Sequence, residues 1–101
     1  MMFAVVEITT KNQQPPYDIS TTVTVSNNVD LSKVNVTWIS EGENLSMPAI
    51  EERRGEIIKS HIVANHSQLP VKLAVTFEEN SCGQGMSLLL NFWKRLLVSC
   101  N

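Results

Sequence analysis

The chain has 101 residues, of which 43% are hydrophobic and 18% are charged, and its formal net charge is −2. This is enough apolar material for one core, so we expect a single domain spanning residues 1–101. The cations are scattered apart from Arg53-Arg54 and Lys94-Arg95, which argues against nucleic-acid binding, because proteins that bind nucleic acids present clustered cations to the phosphates.

The first predicted element is a strand from Met2 to Thr10. Its apolar residues alternate toward the end of the segment, and the segment lacks the basic start of a signal peptide. A loop follows over Lys11–Asp18, where Pro15-Pro16 favours an extended bend.

Three further strands are predicted from the alternation of apolar residues with Ser, Thr and Asn. They cover Ile19–Ser26, residues 33–38 and Leu69–Glu78. Asn27-Asn28 permits a turn between the strand Ile19–Ser26 and the strand over 33–38. The polar segment Glu41–Asn44 ends the strand over 33–38.

Residues 49–65 fit two structures. In a helix, Ser46 is the cap and Pro48 lies in the first turn. In a hairpin, residues 53–56 form the turn. The hairpin is favoured, because Gly55 inside a helix would cost about 1 kcal/mol relative to alanine and the β-branched pairs nearby suit strands.

The last twenty residues predict a glycine loop over 81–85 and an amphipathic helix over 86–100. On a helical wheel one contiguous arc contains Met86, Leu89, Leu90, Trp93, Leu96, Leu97 and Cys100. An arc this wide is typical of a helix that lies on a sheet.

The expected fold is therefore α+β or mainly β. It is an antiparallel β-sandwich or half-barrel of five to six strands within residues 2–78, closed by the C-terminal helix. The expected core comprises Val6, Ile8, Val23, Val25, Val36, Trp38, Leu73, Val75, Leu89, Trp93 and Leu96. Replacing a buried Trp93 with alanine should then cost about 3–5 kcal/mol. The strand-rich, Trp-containing pattern is compatible with an immunoglobulin-like sandwich, but the Cys–Trp–Cys spacing is absent and a closing helix is not part of that fold. No family is assigned.

The two cysteines, Cys82 and Cys100, are too few for a disulfide framework. Without an export signal we expect free thiols and a cytoplasmic protein. No segment has about 18 consecutive apolar residues, so no membrane span is expected. Three Asn-X-Ser/Thr sequons begin at Asn35, Asn44 and Asn65, and in a chain rich in these residue types chance is a sufficient explanation.

One candidate site is the loop that contains Cys82, Gly83 and Gly85. At a helix N-terminus it could form an anion cradle or lower the pKa of the thiol. The alternative is a flexible connector that reverses the chain. A nucleophilic pair of Cys82 with His61 or His66 would need the two side chains within hydrogen-bond reach.

A second candidate is acidic. Glu41, Glu43, Glu78 and Glu79 could contact a basic protein partner. The Ile19–Ser26 strand has few lysines to block edge pairing, so it could accept a partner strand or be covered by the Gln13–Pro16 loop. No histidine or cysteine spacing suggests a metal site, and no cofactor is expected.

Three functions follow from these observations. The leading hypothesis is a non-enzymatic protein-binding module, for example an inhibitor or immunity-type protein that masks a basic partner. The alternative is a small enzyme or anion-binding protein that uses the Cys82–Gly85 loop. The third is a structural subunit that forms homo-oligomers through edge strands.

Overall fold

The computed structural model describes residues 1–79, 82–88 and 93–100. Within these ranges the chain forms nine antiparallel strands and two single-turn 3-10 helices, Leu31–Lys33 and His66–Gln68. The strands are β1 (Met2–Thr10), β2 (Tyr17–Val25), β3 (Val34–Ser40), β4 (Leu45–Ser46), β5 (Ile50–Arg54), β6 (Ile57–Ala64), β7 (Val71–Phe77), β8 (Cys82–Leu88) and β9 (Trp93–Cys100). Sheet A has the order β5-β6-β2-β1-β9, and sheet B has the order β4-β3-β7-β8.

The two sheets pack as a sandwich around one apolar core to which both contribute. In β2 every second residue from Tyr17 to Val25 is buried, and polar residues occupy all four positions between them. This alternation is what a sheet with one buried face and one solvated face requires. The predicted strands at Met2–Thr10, Ile19–Ser26, 33–38 and Leu69–Glu78 are confirmed as β1, β2, β3 and β7, with shifts of a few residues at most of their ends.

Most of the predicted core is confirmed. The residues that are buried as expected are Val6, Ile8, Val23, Val25, Trp38, Leu73 and Val75. Val36 and Leu96 are partly buried against this cluster. Trp93 is 62% exposed, so its predicted burial is wrong. Leu89 lies outside the described residues.

The predicted closing helix over 86–100 is wrong. Met86–Leu88 belong to β8, and Trp93–Cys100 form β9 along the free edge of β1. Apolar residues are so dense here that they fit a period of 3.6 and a period of 2, and pairing with β1 decides for the strand. Across the described ranges, no helix has the length and apolar character needed to cross a membrane.

The hairpin over 49–65 is confirmed as β5 and β6. Arg54 pairs with Ile57, which leaves Gly55 and Glu56 as a two-residue turn. Gly55 has a φ of 61°, which is in the left-handed region that glycine adopts without steric cost and that tight hairpins use.

The Ile19–Ser26 strand is not an edge. β2 is hydrogen-bonded to β1 on one side and to β6 on the other, so neither edge pairing nor a cover from the Gln13–Pro16 loop applies to it. In the described part of the chain the sheet edges are β5 and β9 in sheet A and β4 and β8 in sheet B. The sequence shows strands but not their order, because their order depends on contacts between distant residues.

The first eight strands have the order of an immunoglobulin-type sandwich. β1, β2, β6 and β5 take the places of strands A, B, E and D, and β4, β3, β7 and β8 take those of C′, C, F and G. Trp38 lies on β3, the counterpart of strand C, where that architecture also places a buried tryptophan. β9 is an additional strand that pairs with the outer edge of β1.

Cys82 at the start of β8 and Cys100 at the end of β9 form a disulfide, with their Cα atoms 6.2 Å apart. The bond joins the edge strand of sheet B to the edge strand of sheet A. The prediction of free thiols is therefore wrong. The cytoplasmic expectation, which rested on the lack of an export signal, is not confirmed, since disulfides persist in oxidising compartments.

Candidate binding surface

The largest exposed apolar side chains of β1 and β9 lie on the same face of sheet A, the outer one. Trp93 is 62%, Leu97 63% and Phe3 40% exposed, and Val5 is half-buried. Val5 pairs directly with Leu97 in the ladder. We call Phe3, Val5, Trp93 and Leu97 the β1–β9 surface.

The alternation of β9 explains why these side chains face outward. Leu96, Val98 and Cys100 pair with Val6, Ala4 and Met2 on the inner face. Successive residues of a strand point to opposite faces, so Trp93 and Leu97 must lie on the outer one. Leu96 and Leu97 are both apolar, yet only Leu96 contributes to the core.

A charge pair divides the β1–β9 surface. Glu7 pairs with Arg95 in the ladder, and Arg95 Nε lies 3.9 Å from Glu7 Oε1. Both side chains are about half exposed, so the ion pair adds at most a few tenths of a kcal/mol to stability. Aromatic side chains beside an exposed arginine are a composition typical of protein interfaces.

The four predicted acidic residues do not form one surface. Glu41 and Glu43 follow the end of β3, whereas Glu78 and Glu79 follow β7 beside the start of β3. A seven-residue strand separates the two pairs, which is about 20 Å.

At each end of β3, one glutamate accepts a hydrogen bond from a neighbouring side chain. Glu41 Oε2 accepts a hydrogen bond of 2.6 Å from the Ser87 hydroxyl. Glu78 Oε1 accepts one of 3.0 Å from Asn35 Nδ2. The two acidic segments are therefore separate local features at opposite ends of β3.

The predicted glycine-loop site is replaced by a strand. Cys82, Gly83 and Gly85 lie in β8, which pairs with β7, and Cys82 is in the disulfide. A thiolate nucleophile is therefore absent at Cys82. The anion cradle also loses its basis, because no helix begins after this segment in the described residues.

Gly83 has a structural role instead. A Cβ atom at this position would lie 2.7 Å from Thr76 Cα and would also meet the carbonyl oxygen of Val75. Both are backbone atoms of the neighbouring strand and cannot move aside independently. At Gly85 a Cβ would meet the end of the Lys72 side chain, which can rotate away.

We therefore expect Gly83→Ala to lower the free energy of unfolding by about 1–3 kcal/mol, the usual cost of forcing extra volume into a packed contact. Gly85→Ala is the matched control in the same strand and should change it by less than about 1 kcal/mol. Urea denaturation of both variants measures the difference. Equal stabilities for the two variants would contradict the close approach of β8 to β7.

The structure does not bring together the predicted Cys–His pair. His61 lies on β6 on the outer face of sheet A, while Cys82 is bonded to Cys100 at the edge of sheet B. His66 lies in the second 3-10 turn, where its Nδ1 is 3.5 Å from the Tyr17 hydroxyl.

An Asp–His contact joins β2 to β6 and was not predicted from the sequence. Asp18 Oδ1 on β2 touches His61 Nε2 on β6, and neither atom has another partner among the described residues. Ser20 lies directly opposite His61 in the ladder, and the three line a shallow pocket of about 400 Å³. Only the pairing of β2 with β6 reveals this group, because the two strands are far apart in sequence.

This group lacks what acyl transfer requires. No hydrogen bond joins Ser20 to His61 among the described contacts, so the serine is not activated. The backbone N–H groups nearby are part of a continuous ladder and offer no oxyanion hole. In the described ranges no three His, Cys, Asp or Glu side chains are placed to hold a metal ion.

Comparison of the chain with protein-family models, curated proteins and solved structures gave no match. The immunoglobulin-type strand order describes the architecture only, because this arrangement supports many unrelated functions. Function must therefore be argued from the surface itself.

Proposed function

We propose that this chain is a non-enzymatic protein-binding domain that contacts its partner through the β1–β9 surface. The observation that supports this is the exposure of Trp93 and Leu97, at 62% and 63%, on the outer face of a sheet. Exposed apolar patches rimmed by polar residues mark interaction sites. Here Phe3, Val5 and Leu97 form one apolar group, and Trp93 lies beyond the Glu7–Arg95 pair. Tryptophan and arginine, here Trp93 and Arg95, are the residue types that most often contribute binding energy at interfaces.

The enzymatic alternative on Cys82–Gly85 has no support, since its thiol is in a disulfide and its glycines lie in a strand. The inhibitor or immunity form of the hypothesis expected acidic loops such as Glu41–Glu43 or Glu78–Glu79 to contact a basic partner. Both loops follow strands of sheet B, whereas the β1–β9 surface belongs to sheet A, so we do not extend the proposal to a basic partner.

Self-association is the second candidate, and the edge position of β9 favours it. Its outer backbone groups have no partner strand among the described residues, and such an edge can pair with another chain. A second copy would then be the partner.

We further propose that the domain works in an oxidising compartment. The Cys82–Cys100 disulfide supports this placement, because thiols in the cytosol are kept reduced.

The test is affinity capture with the tagged full-length chain from extracts and medium of the source cells. The variant Trp93→Ser/Leu97→Ser removes the two most exposed side chains of the β1–β9 surface. The matched control Ile50→Ser/Val63→Ser removes two side chains of similar exposure, 74% and 55%, from β5 and β6 at the opposite edge of the same sheet.

We expect one stoichiometric protein that binds the wild type and the control equally and the Trp93/Leu97 variant about tenfold more weakly or worse. Equal capture by both variants, or no captured protein, would contradict the proposal. Concentration-dependent oligomers in sedimentation, abolished by the same variant, would identify a second copy as the partner.

A further inference from the structure

Each of the three sequons begins at an exposed asparagine. Asn35 lies in β3, Asn44 in the turn between β3 and β4, and Asn65 just after β6. Sequence alone does not distinguish a usable sequon from a chance one, because a sequon whose asparagine is buried in the fold cannot carry a glycan. The structure removes that objection, since the asparagine amide of an acceptor site must remain in solvent once it carries a glycan.

The disulfide supplies an independent observation. Cys82 and Cys100 are bonded, and the compartments in which disulfides form include the endoplasmic reticulum, where N-linked glycans are attached. A chain that acquires its disulfide in the endoplasmic reticulum meets the enzymes that glycosylate sequons in the same compartment.

The local structure separates the three sequons. Asn35 lies within the ladder of β3 and β7, and its Nδ2 already donates to Glu78. Asn65 begins a 3-10 turn that contains Ser67, and its N–H donates to Gln68 Oε1 at 2.8 Å. In both sequons the asparagine itself takes part in these hydrogen bonds.

Asn44 is different. It lies in a turn with a φ of 53°, a conformation that asparagine tolerates better than most residues. Its side chain forms no hydrogen bond in the described part of the chain. Leu45 and Ser46, which complete the sequon, are both exposed and form the short edge strand β4. We propose that Asn44 is an acceptor for N-linked glycosylation.

The chemistry needs one co-reactant, an oligosaccharide joined through pyrophosphate to a polyisoprenol lipid. Asn44 Nδ2 forms a bond to the anomeric carbon of the first sugar, and the bond from that carbon to the phosphate oxygen breaks. The lipid pyrophosphate leaves with the electron pair, and the amide nitrogen gives up one proton to the transferase. No group changes its oxidation state.

A glycan at Asn44 would leave the β1–β9 surface open. β4 is the edge strand of sheet B farthest from β8, and β8 is the strand that the disulfide joins to β9. The sugar would therefore project from the side of the sandwich opposite β9. Modification and protein binding are compatible in this arrangement.

The test is translation of the full chain behind a cleavable leader peptide in the presence of endoplasmic-reticulum microsomes that carry the lipid-linked donor. Peptide-N-glycosidase treatment then shows how many glycans each variant carries. Asn44→Gln removes the acceptor, and Ser46→Ala removes the hydroxyl that the sequon requires while leaving Asn44 in place. Ser46→Thr is the conservative control.

We expect Asn44→Gln and Ser46→Ala each to carry one glycan fewer than the wild type, and Ser46→Thr to carry the same number. A wild type without enzyme-sensitive mass would overturn the proposal, and so would an Asn44→Gln variant with an unchanged glycan count. Since all three substitutions lie in an exposed turn and edge, circular dichroism should show the same fold in each.

Discussion

Replacing Trp38 with alanine is expected to lower the free energy of unfolding by about 3–5 kcal/mol, the range found for large aromatic side chains in cores. Trp38 lies on β3 in sheet B and is 1% exposed. Its Nε1 donates a 2.8 Å hydrogen bond to the hydroxyl of Ser60 on β6 in sheet A. The side chain therefore fills the space between the sheets and also joins them by a buried polar contact.

The hydrogen bond can be separated from the packing. Trp38→Phe keeps an aromatic ring but leaves the buried Ser60 hydroxyl without its donor, which costs about 1–3 kcal/mol in addition to lost volume. Ser60→Ala leaves the indole N–H unpaired instead. In Trp38→Phe/Ser60→Ala neither group is orphaned, so the double variant should lose less stability than the sum of the single variants.

Urea denaturation of the wild type and of the four variants at Trp38 and Ser60 measures these free energies of unfolding. Trp93→Ala is the control, because Trp93 is exposed and its replacement should change stability by less than about 0.5 kcal/mol. If Trp93→Ala proved as costly as Trp38→Ala, the assignment of Trp93 to the surface would be wrong. Additive losses at Trp38 and Ser60 would contradict the hydrogen bond between the sheets.

Removing the disulfide by Cys82→Ala/Cys100→Ala is expected to cost about 2–4 kcal/mol. The two cysteines are separated by 18 residues in sequence, and the cross-link restricts the unfolded chain over that loop. Loss of the bond also frees the end of β9, whose only ladder in the described residues is the one with β1.

The measurement compares unfolding of the wild type and the variant with and without a reducing agent. The reductant should destabilise the wild type by about as much as the substitution does, and it should leave the variant unchanged. Alkylation of the native protein provides a direct check, because iodoacetamide should add no mass until the protein is reduced. Two alkylated cysteines before reduction would contradict the disulfide.

The sequence predicted the strands of the first 78 residues well because their environment is simple. In β2, Ser and Thr alternate with apolar residues, a pattern that predicts a strand in a sheet with one buried face and one solvent-exposed face. The β5–β6 hairpin was favoured for a similarly local reason, since Gly55 suits a tight turn and disfavours a helix.

The C-terminal segment was mispredicted because its pattern has two solutions. In a helix Leu96 and Leu97 share one apolar arc, whereas in a strand they point to opposite faces. The free edge of β1 selects the strand, and that edge is invisible in the sequence because it belongs to residues about ninety positions away. The same error hid the candidate site, since Trp93 and Leu97 were assigned to the interior of the fold.

The disulfide was missed for a related reason. Cys82 and Cys100 approach each other only because β8 and β9 are the neighbouring edges of two different sheets. Cysteine count and spacing contain no information about that arrangement. The Asp18–His61 contact also depends on strand pairing rather than on any local motif.

The pairing of Met2 with Cys100 determines how the domain would respond to mechanical tension. A force that pulls these residues apart acts on neighbouring antiparallel strands at the same end, so it would open the β1–β9 ladder one rung at a time rather than shear it as a whole. Because Cys100 is bonded to Cys82, force applied to Cys100 is carried into β8 as well as β9, and β9 cannot be drawn away from the domain without also loading the β7–β8 ladder. One covalent link thus distributes a force on β9 over a ladder in each sheet.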